Sequence, residues 1–177
     1  MENSIKSLAL KYGVYLGLLM ILIMVLMYVV DLELMTKWWL NIILFLMILS
    51  FGILSSAKSK KILGGFMTFK QAFSSYFITV AIGVLLSTAF SIILFNIIDP
   101  EAAQFLKEKI IETSTQMMEN FGAPQSEIDK AAAAMSEQEQ FSVINQLKSI
   151  AWQLFAYAVI GLIVALVMRK SEPISMN

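Results

Sequence analysis

Residues 75 to 98 read SYFITVAIGVLLSTAFSIILFNII, 24 residues without a charge. About 20 residues of helix cross the hydrocarbon core of a bilayer, so this stretch is long enough to span one. It is not uniformly apolar. Ser75, Thr79, Gly83, Ser87 and Ser91 recur at every fourth position. In a helix that spacing stacks them on one slowly drifting face. In lipid, small residues on such a face let a second helix come close and share hydrogen bonds. The stretch reads as a central span, with these five residues as its packing face.

Three similar stretches accompany it. Tyr12 to Val30, Trp38 to Ser56 and Ile150 to Met168 also carry no charge. Each contains small residues at four-residue spacing: Gly13 and Gly17, Gly52 and Ser56, Gly161 and Ala165. Trp38, Trp39, Trp152, Tyr12 and Tyr76 fall near the expected ends, where amphipathic rings sit at a membrane interface. Hydrophobic residues make up 58% of the 177-residue chain and charged residues 15%. A water-soluble domain of this size would lack the polar surface to cover itself. The first span is longer than a signal-peptide core and no small-x-small cleavage site follows it, so it is expected to be retained. The whole chain, 1–177, reads as one four-span membrane domain.

Charge sets the threading. Lys6 and Lys11 precede span one; Lys58, Lys60, Lys61 and Lys70 lie between spans two and three; Arg169 and Lys170 follow span four. The other side carries Asp31 and Glu33 against Lys37, then nine acids against four lysines between Asp99 and Lys148. The positive-inside rule puts both termini in the cytoplasm and residues 99–149 outside.

That insert reads as helical. Asp99-Pro100-Glu101 is a helix start: an N-cap acid at the membrane boundary, proline at the first helical position, then an acid in the first turn. Ala103, Leu106, Ile110, Met117 and Phe121 form an apolar stripe, which Gly122 and Pro124 terminate. A short alanine-rich helix follows, with Ser126 as its expected N-cap. Ser136 and Glu139 have capping-box spacing, and from Glu137 one helix about 48 Å long is expected to run to Met168. The stripe is expected to pack on Phe141, Ile144 and Leu147 of that returning arm, or to leave Met117, Met118 and Phe121 for a partner. The fold expected is all-α: four transmembrane helices, with an extracytoplasmic helical hairpin between the third and fourth.

The residues limit the chemistry. Cysteine and histidine are absent, which excludes disulfides, Cys-His zinc sites, thiol nucleophiles and histidine-based triads. Glu108-Glu112 and Glu137-Glu139 read as solvated helix surface. Asn41, Asn96 and Gln153 read as interhelical hydrogen-bonding groups. After Gly64-Gly65, Phe66, Phe69 and Phe73 recur at helical spacing around Lys70, as in a short interfacial helix. Lys58, Lys60, Lys61 and Lys70 are then expected to meet anionic headgroups. No catalytic, cofactor-binding or metal-binding residue is expected, and with zero net charge no nucleic-acid partner is.

The order of the spans, the FKQAF phrase entering span three and the IIDPE phrase leaving it resemble Domain of Unknown Function 4199. This is a family of small multi-pass proteins mainly from Bacteroidetes. The resemblance covers nearly the whole chain and implies a bacterial inner-membrane protein with a helical extracytoplasmic insert. It brings no activity, cofactor or site. The leading expectation is a non-enzymatic component that contacts lipid, another membrane or periplasmic protein, or itself as a homo-oligomer, through the outer hairpin and the basic inner loop. The alternative is a small oligomeric transporter or channel subunit. Four-span drug exporters of the small multidrug resistance type depend on a membrane-embedded carboxylate, and these spans carry none.

Overall fold

The computed structural model describes residues 2–170. Among them the chain is all-helical: α1 (Glu2–Val30), α2 (Trp38–Ile62), α3 (Phe69–Ile93), α4 (Pro100–Asn120), α5 (Gln125–Glu137) and α6 (Val143–Met168). A 3-10 turn, Leu32–Thr36, joins α1 to α2, and a π-helical turn, Leu94–Ile98, extends α3. Four of these helices, α1, α2, α3 with its π turn, and α6, are long and apolar enough to cross a membrane.

Helix α3 is the hub. Helices α1, α2 and α6 each pack along it, while α1 and α6 make no extended contact with one another. Its buried residues follow one face: Ala72, Ser75, Tyr76, Thr79, Val80, Gly83, Val84 and Ser87. The neighbours reach this face through glycines. A Cβ at Gly52 of α2 would stand 2.6 Å from the Tyr76 ring, and one at Gly161 of α6 would stand 2.8 Å from its other edge. On the α1 side, a Cβ at Gly83 would meet Leu16 at 2.5 Å. Leu16, Ile48, Tyr76, Val80, Val84 and Tyr157 form the central apolar cluster. Tyr76 is thus a core residue two turns inside α3 rather than an interfacial aromatic.

The helix ends differ from the sequence reading in three places. First, α2 continues past Ser56 to Ile62, so Lys58, Lys60 and Lys61 ride its last turns instead of a loop. Cations are welcome at a helix C-terminus, and the stop comes only at Gly64 and Gly65, whose φ values are +73° and +92°. Second, there is no separate interfacial helix: Phe69 and Phe73 belong to α3 itself. Thr68 caps α3, accepting from the Gln71 N–H while the Gln71 side chain accepts from the Thr68 N–H, a capping box. Phe66 stays outside, and Met67 exchanges two backbone hydrogen bonds with Lys170, both 2.9 Å, tying the linker to the end of α6.

Third, the helix expected from Glu137 to Met168 is broken. Residues 138–142 leave the helical path, and Ser142 caps α6 by accepting from the Asn145 N–H. The expected Ser136 capping box does not form; its hydroxyl donates back to Ala133 O. Phe141 causes the break. Its ring meets Phe95 at 5.1 Å, and its carbonyl accepts from Asn96 Nδ2 (2.9 Å) and Gln146 Nε2 (2.6 Å). Likewise α5 starts two residues earlier than expected, with Pro124 rather than Ser126 at its N-cap. The α4 stop at Gly122, φ +77°, is as read from the sequence.

The apolar stripe of α4 packs only partly as expected. Ala102 and Leu106 are buried against Leu94, Phe95, Tyr28, Leu32, Met35 and Phe141. Ile144 and Leu147 remain 67% and 54% exposed, and α4 leans on the 3-10 turn and the π turn, with Tyr28 of α1 beside them, instead of on α6. The π turn makes this possible. Asp99 N–H bonds Leu94 O across the wider ring at 2.8 Å, turning Leu94 and Phe95 inward under α4.

Gly52→Ala is expected to cost about 1–3 kcal/mol, because the new methyl group overlaps a ring that has no room to move. Tyr76→Phe should be neutral or stabilising, since the buried Tyr76 hydroxyl has no hydrogen-bond partner among the described residues. Thermal unfolding of purified protein in detergent measures both. A Tyr76→Phe loss larger than that of Gly52→Ala would mean that the hydroxyl is held by a bound molecule.

Candidate functional site

The five small residues on α3 divide between two environments. Toward the Gly64 end, Ser75 and Thr79 are fully buried in a hydroxyl knot that joins three helices. Ser75 Oγ lies 2.7 Å from Ser59 Oγ and 3.3 Å from Ser55 Oγ. Thr79 Oγ1 has Ser55 Oγ at 2.8 Å, the Ala9 carbonyl of α1 at 3.0 Å and its own Ser75 carbonyl at 3.0 Å. Each hydroxyl has a partner, which is what a polar group in an apolar bundle requires. Gly83, one turn further, is sealed by Leu16.

Past Gly83 the same face opens into a groove of about 400 Å³ between α1 and α6. Ser87, Thr88 and Ser91 form its floor, Gln146, Ser149 and Gln153 of α6 one wall, and Met20 and Met24 of α1 the other. Ile110 of α4 and Gln140 and Phe141 of the connector roof it. No lining residue is charged. Ser87 donates to Val84 O at 3.0 Å, which leaves its oxygen lone pairs free. Gln146 is 8% exposed; its Nε2 holds the Phe141 carbonyl, and its Oε1 has no partner among the described residues. Of the amides expected to link helices, Asn96 does so through the Phe141 carbonyl. Asn41 bonds only its own helix start at Lys37 O, and Gln153 points free along the groove.

Asp99 is both a cap and a latch. Its Oδ1 accepts from the Ala102 N–H at 2.9 Å, with Pro100 at the first helical position, and its Oδ2 accepts from the Tyr28 hydroxyl of α1 at 2.7 Å. The Tyr28 hydrogen bond above all, then the Ala102 N–H, holds its carboxyl below the ordinary carboxylate range, against a smaller opposing effect of burial. Further along α4, Lys109 bridges Glu112 on its own helix (2.9 Å) and Glu33 of the 3-10 turn (3.2 Å). These two acids hold the ammonium above the usual lysine range. The sequence signals the cap through Asp-Pro-Glu, but no local pattern signals Tyr28 as the second partner.

A second cleft, of about 610 Å³, lies between the start of α2 and the far half of α4. Trp38, Ile110, Met117, Met118 and Phe121 supply its apolar surface. At the opposite end of the bundle, Lys58, Lys61 and Lys70 are exposed and Lys60 half-buried. They stand on the last turns of α2 and the first turn of α3, so they share one end but do not converge on a pocket.

Asp99→Ala should lower the thermal stability more than Tyr28→Phe, because it removes both contacts at once. The folded carboxyl titrates lower than an unfolded aspartate, near 3.9. The stability it contributes is therefore complete above that value and is lost as pH falls through the depressed folded value. Unfolding scans of wild type and Asp99→Ala from neutral to strongly acidic pH should converge only at the acid end. A gap that persists there would mean the carboxylate charge is not what holds the latch.

No curated protein and no solved structure matches the chain. A family model described as "Protein of unknown function (DUF4199)" matches residues 11–170. The match covers most of the chain, and the chain belongs to that family.

Proposed function

We propose that this is a multi-pass protein of the bacterial inner membrane, with both termini cytoplasmic and α4–α5 on the outer face. It acts without catalysis, as an interaction component that engages a partner protein through the outer helices. The observation that carries this reading is the apolar cleft between Trp38 and α4. Phe121 there is 86% exposed, and Met117 and Met118 stand beside it. These residues lie beyond the spans, where lipid does not explain an exposed apolar surface. Methionines adapt to the shape of a partner. At the cytoplasmic end Lys58, Lys60, Lys61 and Lys70 suit anionic headgroups and help to fix the orientation.

Transport by an oligomer is the second reading, and the polar groove is the observation that favours it. The groove ends blindly where Leu16 closes on Gly83. A blind groove with no acid or base is better suited to binding than to conduction.

Two measurements test the proposal. A reporter fused after Asn177 should be active only in the cytoplasm. A photoreactive residue at position 121 should give a discrete protein adduct in native membranes that disappears with Met117→Asp. The same group at Glu127, on an exposed polar position, should give none. Equal labelling from both positions, or an extracytoplasmic reporter, removes the reading.

A further inference from the structure

We infer that the groove between α1 and α6 is a binding site for the uncharged, hydroxyl-bearing head of a membrane amphiphile, whose tail leaves sideways into the bilayer. The inference rests on the membrane-spanning reading of the four apolar helices and is independent of any protein partner.

Polar atoms in a span are ordinarily paired inside the protein, as Ser55, Ser59, Ser75 and Thr79 are. The groove departs from that pattern on two helices, α3 and α6. Ser87 and Gln146 are largely buried residues on its edge: Ser87 donates to Val84 O and keeps its lone pairs, while Gln146 donates to Phe141 O and its Oε1 has no partner among the described residues. Thr88, Ser91, Ser149 and Gln153 line the same space and donate to no group among the described residues. Both oxygens can still accept, and both face the groove, so a donor on whatever occupies it would pair with them. The hydroxyls and amide around them can donate or accept. A head bearing hydroxyl groups meets both needs.

Charge excludes the commoner lipid heads. A phosphate in this groove would have no cation within its lining, and an ammonium would have no carboxylate. Desolvating either without a counter-charge is unfavourable. Size and access also fit. The volume of about 400 Å³ is at the small-molecule end of binding cavities. Because α1 and α6 each contact α3 but not each other along their length, the groove opens laterally. Met20, Met24 and Ile150 line it as flexible apolar surface for a tail.

The test uses the full chain in phosphatidylethanolamine–phosphatidylglycerol vesicles containing a trace of one of two photoactivatable lipids with the same labelled acyl chain. One is diacylglycerol, with a neutral hydroxyl head; the other is phosphatidic acid, with an anionic head. Diacylglycerol should label Met20, Met24 and Ile150, and excess unlabelled diacylglycerol should suppress that labelling. The double variant Thr88→Val, Ser149→Ala removes two hydroxyls without adding bulk, at a half-buried and an exposed position. It should weaken competition about tenfold, the effect of losing one or two hydrogen bonds, with the unfolding temperature unchanged. Equal labelling by phosphatidic acid, labelling without competition, or a double variant that competes like wild type overturns the inference. Retention of the protein in membranes after alkaline carbonate, measured alongside, separates the two readings. Protein that is stripped off fails the membrane reading itself, whereas retained protein with an unlabelled groove fails only the ligand.

Discussion

Tyr76 is held between two glycines, and the layout of the bundle depends on that close fit. A tyrosine ring facing Gly52 on one edge and Gly161 on the other brings α2 and α6 nearer to α3 than any larger residue would allow. Lipid provides no hydrophobic drive for helices to associate, so this kind of intimate packing carries much of the cohesion of a bundle in a membrane. The same logic operates on the other side, where Gly13 and Gly17 admit Ile82 and Leu86, and Gly83 admits Leu16. Helix α3 is therefore surrounded through its small residues and its one large ring, not through a broad leucine seam.

That constraint also explains the groove. Three helices gather around α3, and its circumference is not fully covered. Toward the Gly64 end, hydroxyl contacts join α3 to α1 and α2, and the Met67–Lys170 bridge ties the linker to the end of α6. Toward the Asp99 end, α1 is drawn to α4 by the Tyr28–Asp99 hydrogen bond, and α6 is drawn to the connector by the Gln146–Phe141 bond. The two helices are pinned to different partners, which leaves the space between them open. The latch and the groove are in this sense one arrangement: what fixes Asp99 also fixes one wall of the groove.

Much of this was legible in the sequence because it is local or periodic. The four-residue spacing of Ser75, Thr79, Gly83 and Ser87 identified the buried face of α3. Asp99-Pro100 marked a helix start, and Gly122 a helix stop. The features that could not be read depend on residues far apart in the chain. Tyr28 and Asp99 are 71 positions apart. Phe141 breaks a helix that its own neighbours would continue, because Phe95 and Asn96 offer its ring and carbonyl better partners than a further turn would. The lysines after span two misled for a different reason. Charge marked the end of the apolar run, but a helix ends where its backbone is broken, and that is at Gly64.

The small-residue stripe invites one interpretation along its whole length, and the structure assigns it two. Ser75 and Thr79 lie where three helices meet, so each hydroxyl finds another and the pattern is consumed by packing. Ser87 and Ser91 carry the same groups on the same face, but there the face borders the groove instead of a hydroxyl of a neighbouring helix. Ser87 turns its hydroxyl proton back to Val84 O, and its lone pairs stay available to whatever fills the gap. Identical residues at identical spacing thus serve cohesion at one end of α3 and recognition at the other. The two environments meet at Gly83, where Leu16 of α1 closes on the face.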